Sequence, residues 1–252
     1  MQANDHYFMQ QAIALGRRGL GRTAPNPSVG CVLVASDDRV VGTGWTQATG
    51  RPHAETQALA QAGTKASGAT AYVSLEPCAH EGETGACAKA LVQAGVKHVY
   101  FANTDPDARV AGKGAQILKA AGIGVDIGLC EPQARQLHQG FFSRIQHKRP
   151  MVTLKLALSA NGFMRTPDGS SPWITGPLAR NYGHLLRAQH DAILTGAGTL
   201  QADNPSLDCR LPGMADRSPL PVVMSRLDVV PEDCKLASRR DANQVLFYTQ
   251  AK

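Results

Sequence analysis

The chain has 252 residues, of which 43% are apolar and 18% are charged, and its formal net charge is +6. This balance is typical of one large or two ordinary folded domains and argues against disorder. No apolar run approaches the roughly 18 residues of a membrane span, and the first residues lack the apolar core of a signal peptide. A cytoplasmic location is therefore expected, where the six cysteines would stay reduced.

The basic residues occur in short clusters with no run of five, and only 5% of the residues are aromatic. Binding of single-stranded nucleic acid usually combines a basic groove with aromatic stacking platforms. Neither nucleic acid nor membrane is therefore expected as a partner. The positive charge also fits a phosphorylated small molecule or no particular ligand. The sequence leaves open whether the chain is a monomer or a homo-oligomer.

Helical and strand-like segments alternate along the first part of the chain. Helices are predicted over 5–18, 53–63, 87–95, 112–122 and 132–146. Strands are predicted over 28–35, 39–45, 69–76, 98–103 and 124–128. This alternation predicts an α/β layered domain over residues 1–146 with a mainly parallel sheet.

A second α/β pattern follows the segment HKRP at 147–150, which is interpreted as a linker. A helix is predicted over 177–189, and strands over 151–159, 191–196, 221–225 and 244–249. Because the pattern stops on a fresh strand, the second domain, 151–252, is expected to be incomplete.

His53, Glu55, Cys78 and Cys87 form the pattern that carries chemistry. Imidazole nitrogen and thiolate sulfur are preferred zinc ligands, and a catalytic zinc site keeps one position open for water. Glu55 follows His53 by two residues, so its carboxylate can lie near that water and exchange protons with it. The ligands are expected at the starts of helices, where the positive dipole end favours thiolate.

A structural or accidental arrangement is the alternative interpretation. Structural zinc sites usually have four protein ligands with closely spaced cysteines. Here the order is H-x-E, then a strand, then P-C and a later C, which is the order of the zinc deaminases. This order favours a zinc hydrolase of the deaminase type, although the usual P-C-x-x-C is replaced by P-C-x8-C.

Four segments extend this pattern: APNPSVGCVLV, GRPHAETQAL, ATAYVSLEPCAHEGETGAC and DPDARVAGKG. Together they resemble the deaminase half of the bifunctional deaminase/reductase family of riboflavin biosynthesis, in which a similar loop separates the two cysteines. The resemblance implies a cytidine-deaminase-like three-layer α/β domain. It also implies hydrolytic deamination of a phosphoribosylated pyrimidine, 2,5-diamino-6-(5-phosphoribosylamino)pyrimidin-4-one.

The resemblance also implies roles for individual residues of this half. His53, Cys78 and Cys87 would bind one zinc ion per chain, and Glu55 would be the catalytic proton shuttle. Asn26 and Asp105 would contact the substrate. The alternative for Asn26 is a turn-forming residue between prolines, and for Asp105 an ordinary loop residue.

The segments LKLALSANGFM and SPWITGPLARNYGHLLRAQHDAILTGAGTLQADNPSLDCR resemble the reductase half of the same family. That resemblance implies a partial dihydrofolate-reductase-like α/β domain and NADPH-dependent reduction of the ribosyl group to a ribityl chain. The positions implied to contact NADPH are Ala157, Trp173, Thr199, Asp203 and Ser225. The positions implied to contact substrate are Lys155, Ser171, Arg187, Leu207 and Arg210.

Two other functions stay open from the sequence. One is a nucleoside, tRNA or other nucleic-acid deaminase of the same fold, which the C-x8-C loop and the second half argue against. The other is a zinc-stabilised binding module without catalysis, for which Glu55 would be dispensable.

Overall fold

The computed structural model describes residues 4–79, 85–108, 110–164, 173–225, 234–236 and 246–248. The chain divides into two compact units, Met1–Val152 and Thr153–Lys252. Each unit is built around its own β-sheet. None of the helices within the described ranges combines the length and the hydrophobicity that crossing a bilayer requires.

The first unit contains a five-stranded sheet in the order β2–β1–β3–β4–β5. Its strands are β1 Gly30–Val34, β2 Val40–Trp45, β3 Thr70–Val73, β4 His98–Phe101 and β5 Gly124–Ile127. β1 is antiparallel to β2 and β3, whereas the β3–β4 and β4–β5 pairs are parallel. The prediction of a mainly parallel sheet is therefore wrong. The sheet is mixed because the short turn between β1 and β2 makes a hairpin, whose strands are antiparallel.

Helices cover both faces of this sheet. They are α1 Asp5–Gly16, α2 Ala54–Ala62, α3 Cys87–Gln93, α4 Lys113–Ala120, α5 Glu131–Leu137 and α6 Gln139–His147. Successive residues of a strand point to opposite faces. Cys31 and Leu33 of β1 accordingly pack in the core that α2, α3 and α4 share, while Val32 and Val34 pack with α1 and α5. The result is the three-layer α/β architecture expected from the sequence.

One predicted helix, 132–146, is two helices in the structure. α5 and α6 meet at His138, whose imidazole is buried and lies with Nε2 3.1 Å from the carbonyl oxygen of Ser74. α6 continues to His147, which the sequence reading assigns to the linker.

The second unit contains a parallel sheet in the order β6–β7–β8. Its strands are β6 Ala192–Gly196, β7 Leu220–Met224 and β8 Leu246–Tyr248, and its helices are α7 Pro177–Ala188 and α8 Ala197–Asp203. α8 was missed by the sequence reading, because the segment GAGTLQADNP looks like a glycine-rich loop. Leu200 of α8 is nevertheless buried in the core of this unit beside Leu207 and Val223.

Residues 151–159, predicted as a strand, form neither helix nor strand in the structure. The alternation that suggested a strand is real, but no strand in the described part of the chain pairs with it. Four apolar side chains on alternate positions are therefore exposed, and we call them the 152–158 stripe: Val152 82%, Leu154 79%, Leu156 52% and Leu158 45%.

Candidate active site

His53, Cys78 and Cys87 converge in the first unit from three different segments. His53 is the N-cap of α2, Cys78 lies in the loop after β3, and Cys87 is the first residue of α3. Their ligand atoms all lie within 4.8 Å of one another. His53 Nδ1 is 3.3 Å from Cys87 Sγ and 3.7 Å from Cys78 Sγ.

The position of Cys78 corrects one expectation and explains the wide cysteine spacing. Cys78 does not begin a helix, because α3 starts only at Cys87. Instead, Cys78 Sγ accepts a hydrogen bond from the backbone N–H of Cys87, and its carbonyl accepts one from Ala88. These are N–H groups in the first turn of α3, which have no partner inside the helix. Cys78 therefore caps α3 from across the inserted loop, whose residues 80–84, including Glu83, lie outside the described range.

The two thiols differ in acidity because they contact each other. A hydrogen bond from Cys87, together with His53 and the Cys87 backbone N–H, lowers the pKa of the Cys78 thiol to about 4. The neighbouring thiolate and burial raise the pKa of Cys87 well above its usual value. The hydrogen bond to Cys78 raises the pKa of the His53 imidazole. A bound cation would favour the thiolate form of both cysteines.

Glu55 is the second residue of α2 and its side chain is 3% exposed. Burial, followed by the negative charge of Cys78, raises the pKa of its carboxyl to about 7. A carboxyl group in this range exchanges protons efficiently near neutral pH. Its place two residues after the His53 N-cap follows directly from the H-x-E spacing.

The donor set of the cluster fits zinc. One imidazole nitrogen and two sulfurs are ligands that zinc prefers, and three protein ligands are typical of catalytic rather than structural sites. Hard cations such as magnesium prefer oxygen ligands, which this cluster lacks.

Asn26 and Asp105 occupy structured loops of the same unit. Asn26 Nδ2 donates to the carbonyl oxygen of Gly50, three residues before His53. Asp105 is 7% exposed, and its Oδ1 accepts from the N–H of Asp107 at 2.8 Å. Burial raises the pKa of the Asp105 carboxyl to about 6. The Asp105 contact is a local turn contact, whereas Asn26 joins two loops 24 residues apart in the chain. The substrate contacts of both residues stay predictions.

The sequence reading assigned no role to Glu76, although it lies in the same EPC segment as Cys78. Its carboxylate is buried and accepts three backbone hydrogen bonds. A glutamate three residues after the end of the buried strand β3 was the available signal, because a buried carboxylate needs hydrogen-bond partners.

In the second unit, three of the five predicted NADPH positions lie near the carboxyl ends of two neighbouring strands. Thr199 and Asp203 are exposed on α8, which follows β6 directly, and Ser225 follows β7. β6 and β7 are parallel with Gly196 opposite Met224, so these segments share the carboxyl end of the strand pair. Ligands of open α/β sheets usually bind at that end.

The other two NADPH positions lie elsewhere in the described structure. Ala157 belongs to the segment 151–159, which forms no strand. Trp173 is 59% exposed and carries the guanidinium of Arg180 at 4.7 Å from its ring centroid. The surroundings of these two residues do not identify a cofactor site.

Four of the predicted substrate positions of the second unit lie around α7. Arg187 of α7 donates to the carbonyl oxygen of Asp208, and Arg210 donates to the carboxylate of the same residue. Leu207, the residue before Asp208, is buried with a φ of 52°. Lys155 lies close to Gly183 of α7. Its Cε atom is 3.9 Å from the point that a β-carbon on Gly183 would occupy. Ser171, the fifth position, lies outside the described residues.

The electrostatics around Arg187 suit an anion. Burial, followed by the nearby charge of Arg210, lowers the pKa of Arg187. Burial and the same two arginines lower the pKa of His184. Guanidinium groups match phosphate oxygens in pairs, so this group has the chemistry of a phosphate contact.

Comparisons with known proteins match two family models to separate parts of the chain. Residues 2–103 match the family model of the cytidine and deoxycytidylate deaminase zinc-binding region, and residues 150–252 match that of the RibD C-terminal domain. The riboflavin biosynthesis protein RibD of Aquifex aeolicus is 40% identical over 96% of this chain and 68% of its own length. RibD of Escherichia coli is 48% identical over 82% of this chain and 56% of its own length.

Solved structures of RibD proteins are also similar to this chain over nearly all of its length. RibD of Acinetobacter baumannii has a TM-score of 0.85 and 44% identity, covering 99% of this chain and 74% of that one. A diaminohydroxyphosphoribosylaminopyrimidine deaminase/5-amino-6-(5-phosphoribosylamino)uracil reductase from Thermotoga maritima has a TM-score of 0.88 and 36% identity. It covers 98% of this chain and 70% of that one. The chain thus spans between about half and three quarters of the relatives it matches.

Proposed function

Because the chain belongs to the RibD family of riboflavin biosynthesis proteins, we propose that it is an enzyme with two activities. The first unit catalyses zinc-dependent hydrolytic deamination of 2,5-diamino-6-(5-phosphoribosylamino)pyrimidin-4-one. The second unit carries residues that serve the NADPH-dependent reduction of the ribosyl side chain to a ribityl chain. The observation that carries the proposal is the convergence of His53, Cys78 and Cys87 beside a buried glutamate.

His53, Cys78 and Cys87 would hold the zinc ion. Zinc supplies Lewis acidity there, which makes water a nucleophile near neutral pH. The hydrogen bond from Cys87 and the nearby His53 lower the pKa of the Cys78 thiol to about 4, and the Cys87 backbone N–H donates to its sulfur. Part of the metal site is thus preorganised by the start of α3 before the ion binds.

Glu55 would move the proton. With a pKa of about 7, its carboxyl can accept a proton from the attacking water and donate one to the leaving amine. The same burial that raises the pKa also keeps bulk water from competing for the proton. Asn26 and Asp105 would orient the pyrimidine and its ribose from the two loops described above.

The test of the deaminase is ammonia release from the phosphoribosylated diaminopyrimidine by this 252-residue chain, measured together with zinc content. Glu55→Gln is expected to retain about one zinc per chain and to lose at least two orders of magnitude in rate. The matched control is Glu131→Gln, the same substitution on an exposed glutamate, which should keep the rate.

Full activity of Glu55→Gln would refute the proton-transfer role. Zinc binding without ammonia release by the unsubstituted chain would favour the binding module. Ammonia release from cytidine or RNA instead would favour the nucleoside or nucleic-acid deaminase.

The reductase is tested in the same cuvette by following NADPH oxidation after deamination. If Arg187 contacts the substrate phosphate, Arg187→Ala should raise KM by about tenfold or more, since charge-assisted hydrogen bonds contribute about 1.5–3 kcal/mol. Arg39→Ala, at an exposed arginine of the first unit, is the control. An unchanged KM would remove Arg187 from the site, and ammonia release without any NADPH oxidation would restrict this chain to deamination.

A further inference from the structure

We infer that Glu76 is a positioning residue of the deaminase, whose carboxylate fastens the loop that carries Asp105 to the loop that carries Cys78. The inference rests on the proposed deaminase function. Glu76 lies two residues before Cys78 in the chain and is 4% exposed. A carboxylate buried to this extent is stable only when its oxygens are hydrogen-bonded.

The partners of this carboxylate are backbone N–H groups of the segment 105–115. Oε2 accepts from Gly112 at 3.0 Å and from Asp105 at 3.3 Å, and Oε1 accepts from Ala115 at 3.1 Å. The backbone N–H of Glu76 itself donates to the carbonyl oxygen of Asn103 at 2.9 Å. Glu76 thus joins the end of β3 to both ends of the loop between β4 and α4.

The beginning of α4 is shaped around this carboxylate. Ala115 is the third residue of α4, and the first N–H groups of a helix lack partners within it. The negative charge also favours this positive end of the helix. At Gly114 a β-carbon would lie 2.1 Å from the carbonyl oxygen of Pro77 and 3.2 Å from Glu76 Oε1, so only glycine allows the approach. Gly112 has a φ of 76°, which glycine adopts readily.

The consequence for the site is a fixed Asp105. Its N–H is held by Glu76, and its own Oδ1 is held by the N–H of Asp107. The orientation of the Asp105 carboxylate relative to Cys78 therefore depends on Glu76. Glutamine at position 76 would keep the shape of the side chain, but its amide NH₂ would face a backbone N–H. At least one hydrogen bond would be lost, and two donors would oppose each other.

The test is the kinetics of Glu76→Gln in the full chain, with ammonia release as the assay. Losing one buried hydrogen bond corresponds to about a tenfold effect. We expect KM to rise about tenfold while kcat stays within about threefold and zinc content stays at one per chain, which is the signature of lost substrate binding. Hydrogen exchange of amides in the segment 103–115 should become faster, whereas exchange in α2 should not change. Glu131→Gln is again the matched control.

A double-mutant cycle with Asp105→Asn separates positioning from a general structural role. Asparagine keeps the oxygen that accepts from Asp107, but it removes the charge and replaces the other oxygen with an NH₂ donor. If Glu76 acts through Asp105, the KM effect of Glu76→Gln should shrink to less than about threefold in the Asp105→Asn background. Independent KM effects, or a lower kcat with unchanged KM, would overturn the inference.

Two further outcomes remain decisive. If Glu76→Gln does not fold, Ala115→Pro removes one of the three N–H donors to Glu76, namely the one in the first turn of α4, where proline is tolerated. The same rise in KM is then expected, and an unchanged KM overturns the inference. If the unsubstituted chain releases no ammonia, the proposed function fails. Hydrogen exchange then decides separately whether Glu76 holds the loop, and unchanged exchange in 103–115 overturns that.

Discussion

Strand β1 of the first unit and the segment 151–159, most of which belongs to the second unit, are both rich in apolar residues but have different surroundings. In β1, Cys31 and Leu33 are completely buried, because β2 and β3 pair with its two edges and helices cover both faces. In the 152–158 stripe the apolar side chains are 45–82% exposed, and no strand of the described chain pairs with the segment. An alternating pattern thus makes a strand possible, but only partners from elsewhere in the chain bury it.

The candidate sites differ in the same way. The zinc cluster of the first unit is buried or half-buried, and its cysteines are hydrogen-bonded to each other's backbone or side chain. The predicted NADPH positions Thr199 and Asp203 are exposed on a short helix. Packing therefore positions the first site tightly, whereas the second depends on segments with little burial.

The largest effect expected from this contrast is a difference in the free energy of unfolding between two leucine substitutions. Leu33→Ala should lower the free energy of unfolding by about 2–5 kcal/mol, because it removes a fully buried side chain and leaves a cavity. Leu154→Ala, at 79% exposure, should change it by less than about 0.5 kcal/mol. Urea unfolding is followed by tryptophan fluorescence in two single-tryptophan variants, one keeping Trp45 of the first unit and the other Trp173 of the second, so that each unit is reported separately. Equal losses would contradict the burial difference.

A smaller effect comes from His138, the buried histidine between α5 and α6. Burial lowers the pKa of its imidazole to about 4, below the usual value of about 6.5. The unfolded chain therefore binds a proton that the folded chain does not bind between these pH values. The stability contributed by His138 is present above pH 6.5 and is lost as the pH falls toward 4.

His138→Gln isolates this contribution, since glutamine does not titrate. From pH 7 to pH 5, the unsubstituted protein should lose about 2 kcal/mol more of its unfolding free energy than the variant does. Asp105, whose pKa is raised, acts in the opposite direction but is present in both proteins. Urea unfolding of both proteins at the two pH values measures the difference. Parallel pH profiles would show that folding does not shift the pKa of His138.

The smallest effect concerns the 152–158 stripe itself. Leu154→Gln together with Leu156→Gln should reduce the fluorescence of bound anilinonaphthalene sulfonate, a dye that binds exposed apolar surface. The unfolding free energy should change by less than about 0.5 kcal/mol per site, because neither side chain is buried. The deaminase rate should be unchanged. A large loss of stability would mean that the stripe is covered in solution.

Much of the first unit could be predicted from local pattern. Each of its strands, and α1 to α4, lies within a predicted segment, because turns and glycines mark their ends. The direction of pairing could not be read in this way, since it depends on which strands become neighbours. The break at His138 was also missed, because the sequence on both sides of it is helical.

The candidate metal site was predictable in its residue types but not in its geometry. The H-x-E and P-C spacing identified His53, Glu55, Cys78 and Cys87 without any structure. The capping of α3 by Cys78 and the three backbone contacts of Glu76 could not be foreseen. They join groups up to 39 residues apart, and no local pattern records such contacts.

The residues of the candidate zinc site could be recognised without a structure, because ligand type and spacing are properties of the chain. Most helices and strands could also be located in this way, since hydrophobic period and turn residues act locally. Tertiary contacts were needed to establish which strands are paired and buried, how acidic Cys78 and Glu55 become, and which loop Glu76 holds. Desolvation, Coulomb interactions and hydrogen bonds between distant segments exist only after the chain has folded.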